Sequence, residues 1–266
     1  MLRDITIGQY YPADSVIHRL DPRTKLMGVL IYVVSLFVFR GLAGLAAVTA
    51  ALAFVIWLSK VPFGYMVRGL KAIVIILVIT VLFNLFLTPG EPLVEFFGLK
   101  ITWEGLEHAA FMTVRLTYLI LGSSLLTLTT TPNQLTDGME RALKPLNKIH
   151  VPVHEISMMM SIALRFIPIL IEETDKIMRA QLARGADFES GNLIKKAKSM
   201  VPLLVPLFIS AFRRANDLAM AMEARCYRGG DGRTKMKPLK YKRADVFSYL
   251  LIGGYFAVVI LLRAYL

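Results

Sequence analysis

The chain has 266 residues, of which 56% are hydrophobic, with a mean hydropathy of +0.57 and a formal net charge of +12. That much apolar surface cannot be buried by a soluble globule of this length, so the chain belongs in a bilayer. The single cysteine, Cys226, excludes an intrachain disulfide and a four-cysteine metal site within one chain.

In chain order, residues 1 to 25 are polar and lack an apolar run of signal-peptide length, so no cleavable leader is expected. Residues 26 to 39 form a short apolar run. A helix starting near Pro22 would reach about 27 Å at roughly 1.5 Å per residue, with Lys25 snorkelling to the interface. A tight turn at Arg40-Gly41 leads into residues 41 to 59, which like residues 72 to 90 and 116 to 136 carry no Asp, Glu, Lys or Arg. Each of these three runs is close to the roughly 20 residues that cross about 30 Å of hydrocarbon. Val246 to Leu262, flanked by Arg243 and Arg263, gives a fifth span.

With the N-terminus in the cytoplasm, the inside segments (1 to 25, 60 to 71, 132 to 245) hold 27 of the 31 Lys and Arg residues. The loop with Glu91, Glu95, Glu104 and Glu107 falls outside. The positive charge is therefore topological and points to the lipid bilayer, with no nucleic-acid partner. The expected fold class is an all-α polytopic membrane protein of about five transmembrane helices. Residues 1–131 hold the first four, 132–245 form a cytoplasmic region of amphipathic helices, and 246–266 hold the last.

Within that cytoplasmic region the apolar stretches Ile156 to Leu164 and Met200 to Phe212 are short for spanning and are interrupted by Arg165, Pro202 and Pro206. At 100° per residue, Ile167, Leu170, Ile171, Thr174, Ile177, Met178 and Leu182 form one stripe, with Glu172, Asp175, Lys176 and Arg179 opposite. A second stripe comprises Leu204, Phe208, Ala211, Phe212, Ala215, Leu218, Ala219 and Met222. Each pattern ends alike, in Ala180-Gln181-Leu182-Ala183-Arg184 and in Ala221-Met222-Glu223-Ala224-Arg225. On the wheel both arginines fall roughly 80 to 90° to the same side of their stripe. One arginine in a last helical turn, with Gly185 as a C′ cap, can simply meet the helix dipole and free carbonyls. Two matched copies point instead to a repeated docking device, since a guanidinium fork suits bidentate binding to a partner's carboxylates. Nine of the 13 methionines lie between Met139 and Met236, a composition that suits either a repacking contact surface or gap filling between helices.

No glycine is followed directly by lysine, so the chain has no P-loop, and ATP chemistry would come from another subunit. His150 and His154 are separated by Pro152, which argues against one metal-binding helix face. Arg115, near the outer end of a span, is expected to snorkel or to pair with Glu107 or Glu104. No cofactor is indicated. A stand-alone secondary solute or ion carrier would want carboxylates within the spans, and a membrane-bound enzyme would want clustered acids or histidines near the interface; neither pattern is present.

His18-Arg19-Leu20-Asp21-Pro22-Arg23-Thr24-Lys25, Leu164-Arg165-Phe166-Ile167-Pro168, Gln181-Leu182-Ala183-Arg184-Gly185-Ala186-Asp187-Phe188 and Ala221-Met222-Glu223-Ala224-Arg225 with Tyr227-Arg228-Gly229-Gly230 carry a resemblance. Over nearly its whole length the chain resembles the transmembrane T component of energy-coupling factor (ECF-type) vitamin transporters. The resemblance implies a non-catalytic scaffold in the cell membrane that joins two ABC-type ATPase subunits to a small substrate-binding membrane subunit, the S component. It implies that residues 132–245 supply coupling helices, with Ile177, Met178, Leu182, Leu218 and Met222 on their stripes. It places the ATPase-docking motifs at Ala183-Arg184-Gly185 and Ala224-Arg225-Cys226, the second departing from glycine at its third position.

Overall fold

A computed structural model describes residues 10–39, 41–71, 73–89, 92–96, 99–188, 192–230, 236 and 238–265. Arg40 of the expected turn, Glu91 of the expected outer loop and the Glu95 side chain lie outside what is described. The chain divides into two compact units, one comprising Gly8–Met139 with Leu239–Leu266, the other Glu140–Pro238.

The first unit begins with α1 (Pro22–Val38), for which proline supplies a pre-set first turn. The Asp21 carboxylate caps it, accepting the Arg23 N–H at 3.0 Å. Next come α2 (Gly41–Ser59), α3 (Phe63–Lys71) and α4 (Val74–Leu87). A two-stranded antiparallel hairpin follows, β1 (Pro92–Phe96) and β2 (Leu99–Thr102), so among the described residues the fold is all-α except at this connection between α4 and α5. The Thr102 hydroxyl then caps α5 (Trp103–Thr129) by accepting the Gly105 N–H at 3.1 Å. After α6 (Pro132–Leu143) and the second unit's α7 (Val153–Ala183) and α8 (Leu193–Ala224), the chain returns through α9 (Arg243–Tyr265).

Several sequence expectations shift. The run 116 to 136 is not one helix: α5 stops at Thr129, Thr130 is extended (φ −135, ψ 128), and α6 starts at Pro132. Proline disfavours helical backbone at the residue before it, which accounts for the break, and the span instead begins at Trp103. The run 72 to 90 is the second half of a bent pair, α3 with α4, whose axes differ by 64°. Among the described residues four helices are long and apolar enough to cross a membrane, namely α2, α5, α7 and α9, with α3 and α4 making a fifth if the bent pair is one span. At 17 residues α1 is shorter than these, while α7 is a candidate by length and composition within the region expected to be cytoplasmic. Arg165, read as an interruption, is carried inside the continuous 31-residue α7, and Pro202 and Pro206 inside the 32-residue α8.

Two apolar clusters hold the first unit. Leu52, Val61, Met66, Leu121, Leu125 and Leu128 form one, and Leu36, Phe39, Val48 and Val259 the other. A buried polar knot joins the start of α1, the end of α5 and the start of α9. Asp245, 1% exposed, accepts the Asp21 N–H at 2.8 Å, the Thr24 hydroxyl at 3.2 Å and the Lys242 N–H at 2.7 Å. Lys25 does not snorkel; it is buried, and Nζ donates to the Thr129 carbonyl at 2.8 Å and the His18 carbonyl at 3.3 Å. Fixed carbonyl acceptors replace water around that ammonium. Nearby, burial pushes the His18 imidazole below its usual range. Arg115 does not pair with Glu104 or Glu107; its guanidinium lies 5.3 Å from the Phe39 ring centroid and 5.8 Å from that of Phe37. Aromatic faces there do the work expected of a carboxylate.

Candidate functional site

The second unit is built on α7 and α8, which run antiparallel. The Gln181 amide donates to the Pro202 carbonyl at 3.3 Å, Arg214 Nη2 to Glu173 Oε2 at 3.5 Å, and the Tyr227 hydroxyl to Met158 Sδ at 3.0 Å. Residue numbers fall on one helix as they rise on the other, so the C-terminal ends of α7 and α8 lie at opposite ends of the pair. At about 1.5 Å per residue, helices of this length measure roughly 45 Å.

The stripe on α7 is half-buried at Ile167, Leu170, Ile171, Thr174, Ile177 and Met178, while Leu182 is exposed. On α8, Leu218 and Met222 are half-buried, but Leu204, Phe208 and Phe212 of the same stripe face outward with 43%, 62% and 68% exposure. Val201, Val205 and Ile209 widen this apolar face, while Leu203 is buried. The helical wheel gave the amphipathicity of α8; it did not tell which apolar residues α7 covers.

The two Ala-Arg motifs have the same backbone. Arg184 is the C-cap of α7, and Gly185 follows in the left-handed region at φ +85. The Ala186 N–H reaches the Gln181 carbonyl at 3.0 Å, and the Gly185 N–H reaches that of Leu182 at 3.0 Å. Arg225 is the C-cap of α8, and Cys226 follows at φ +53. The Tyr227 N–H reaches the Met222 carbonyl at 3.1 Å, and the Cys226 N–H reaches that of Glu223 at 2.8 Å. Both are Schellman closures, in which backbone N–H groups satisfy the last carbonyls. The departure from glycine at Cys226 therefore changes the cost of the cap and not its form. Neither arginine side chain is needed to close its helix. Both are exposed, and neither has a hydrogen bond or ion pair among the described residues. Ala183, Ala224 and Cys226 are exposed with them.

Sequence reasoning passed over a polar group at the start of α7. His154 Nδ1 lies 3.0 Å from Glu140 Oε1, and the Ser157 hydroxyl donates to Glu140 Oε2 at 3.1 Å. The backbone of Gly230 packs on the His154 ring. Distance along the chain hid this group, although His154 and the Gly229-Gly230 pair were each visible.

The architecture is that of a polytopic α-helical membrane protein carrying two long, antiparallel amphipathic helices with matched arginine caps. Residues 13–236 match the family described as cobalt transport protein (CbiQ). The chain is 59% identical over 252 residues to the energy-coupling factor transporter transmembrane protein EcfT of Clostridium kluyveri, covering 94% of this chain and 93% of that protein. It is 56% identical to EcfT of Thermosediminibacter oceani over 252 residues, 95% of each chain. To EcfT of Bacillus subtilis it is 46% identical over 265 residues, 99% of this chain and all of that one. The chain belongs to this family of energy-coupling factor transporter transmembrane proteins and is a membrane component of a transport system.

Proposed function

We propose that this chain is the non-catalytic scaffold of an ATP-driven importer, with α7 and α8 as coupling helices on the cytoplasmic side. Arg184 docks one ABC-type ATPase and Arg225 the other, and the helices pass the ATPases' motion to a substrate-binding membrane subunit. The observation that carries the reading is the repeated cap: two exposed arginines, each free of structural duty, stand at opposite ends of one helix pair. Opposite ends suit two partners that sit side by side.

The charge pattern supports a cytoplasmic, non-spanning α7. An α7 that crossed the bilayer would draw its antiparallel partner in with it, bringing the Arg214–Glu173 pair, Arg165 and Arg213 near mid-depth. Each charge there costs about 2.5 to 3.5 kcal/mol on insertion scales, which outweighs the apolar gain of α7. Polarity of the spans agrees, since the start of α1, the end of α5 and the start of α9 share one face of the first unit, as the positive-inside count requires.

The test is the double variant Arg184→Ala/Arg225→Ala. Because the caps close through backbone bonds, membrane insertion and yield should stay near normal, with a loss of about 0.3 to 1 kcal/mol per site from the helix dipole. Removing one partner of a buried charge pair costs about 2 to 5 kcal/mol, so ATPase capture or coupled uptake should fail. Lysine should restore function only in part, lacking the bidentate fork. A double variant that keeps both ATPases and drives uptake at the wild-type rate would refute the docking role.

A further inference from the structure

The two caps match, and the one at Arg225 is held from outside its helix. Beyond Arg225 the chain is tied back to the start of α7 at two points. The Tyr227 hydroxyl meets Met158 Sδ at 3.0 Å. Gly229, at φ +88, then turns the chain so that Gly230 lies on the His154 ring. A Cβ at Gly230 would stand 2.6 Å from His154 Cγ and 3.0 Å from Nε2, so no side chain fits there unless the imidazole moves. The imidazole is held from behind by Glu140, whose two carboxylate oxygens engage His154 Nδ1 and the Ser157 hydroxyl. Its own Nε2 is buried with no partner among the described residues. A buried polar atom left unpaired is costly, and here the cost accompanies the close seat of Gly230.

At the matching cap the glycine is open. A Cβ at Gly185 would meet nothing within 4 Å, and the nearest described bond to the other helix is the exposed one from Gln181 to Pro202.

We infer that Glu140, His154, Ser157 and Gly230 form a brace that positions the Arg225 cap for its ATPase. This rests on the docking reading above. The brace fixes one arginine before binding, so that end does not lose conformational freedom when the partner arrives. His154 and Glu140 are positioning residues and touch no partner themselves.

Alkylation of thiols in the complex with the ATPase pair separates the two ideas. Cys226 reports the Arg225 end, and Ala186→Cys in a Cys226→Ser background reports the Arg184 end. If binding of the ATPases slows alkylation at neither thiol, the docking reading fails. Given protection in the otherwise unaltered chain, Gly230→Ala should speed alkylation of Cys226 in the complex roughly tenfold, a usual size for a coupling effect, and leave the other end protected. His154→Ala, which removes the brace without adding bulk, should do the same. The brace is overturned if both variants keep Cys226 protected within about twofold of the unaltered chain, or if protection falls equally at both ends, since a general loss of fold has no reason to choose one.

Discussion

Cys226 holds the backbone conformation that Gly185 holds at the matching place on α7. For a residue with a Cβ the left-handed region costs about 1 to 2 kcal/mol, while glycine enters it freely and gives back about 0.5 to 1 kcal/mol in unfolded-state entropy. Cys226→Gly should therefore stabilise the second unit by roughly 0.5 to 1 kcal/mol, read as a higher melting temperature in detergent. Gly185→Ala should move it the other way. An unchanged or lower melting temperature in Cys226→Gly would mean that the thiol makes a compensating contact. The cap itself was half legible in the sequence: Gly185 announced a closure, but a cysteine in the same role carries no signal. Only the N–H bonds to Met222 and Glu223 reveal that the two ends are alike.

At the scale of elements, the placement of α9 depends on one carboxylate. Asp245→Ala would leave the Asp21 N–H, the Thr24 hydroxyl and the Lys242 N–H without their acceptor. The first two of these bonds are buried and each unsatisfied buried donor costs about 1 to 3 kcal/mol, so a total loss of about 2 to 6 kcal/mol is expected, with earlier proteolysis before α9. Asn should lose less, since it keeps one acceptor oxygen. Asp14→Ala is the control: its bond to Arg19 at 2.5 Å lies on fully exposed side chains, and its loss should leave the melting temperature unchanged. Asp21-Pro22 could be read from sequence as an N-cap and first-turn pair because capping is local. Its partner Asp245 could not, since no periodicity links residues so far apart in the chain. The same limit applies to the spans. Charge-free runs found α2 and α9 closely, but misplaced α5, because helix ends obey proline and cap chemistry before hydropathy. Charges inside the span, at Glu104, Glu107 and Arg115, then hid its true start.

For the whole molecule, the orientation proposed above makes a labelling pattern. In intact cells an impermeant maleimide should reach the thiol of Lys100→Cys, on the hairpin between α4 and α5, and should not reach Cys226. It should also spare Ala186→Cys, placed between α7 and α8. Reaction at Ala186→Cys with Cys226 silent would mean that α7 and α8 both cross the bilayer, and reaction at Cys226 with Lys100→Cys silent would invert the molecule. Lys and Arg counts carried this orientation from the sequence alone, since loop charge is a property of composition. They could not foresee that α7 would be continuous and apolar enough to pass for a span. Its partner helix, and the ion pair between them, supply what composition lacks.

The antiparallel course of α7 and α8 also fixes what kinds of motion the pair can convert. On the docking proposed above, grips at the two C-caps would act on the bar at two points set well apart along it. Equal displacements carry the bar sideways without turning it, and opposite displacements rotate it about its middle, where lever arms are balanced. Pro168 lies at the centre of α7, whereas Pro202, beside Gln181, lies close to the Arg184 tip. Pro168 removes a rung from the backbone ladder near mid-length, where a beam pushed inward from both ends experiences its greatest bending moment. Under the proposed docking, axial load would become a bow near mid-length, and a squeeze at the tips would emerge as a thrust at right angles to it.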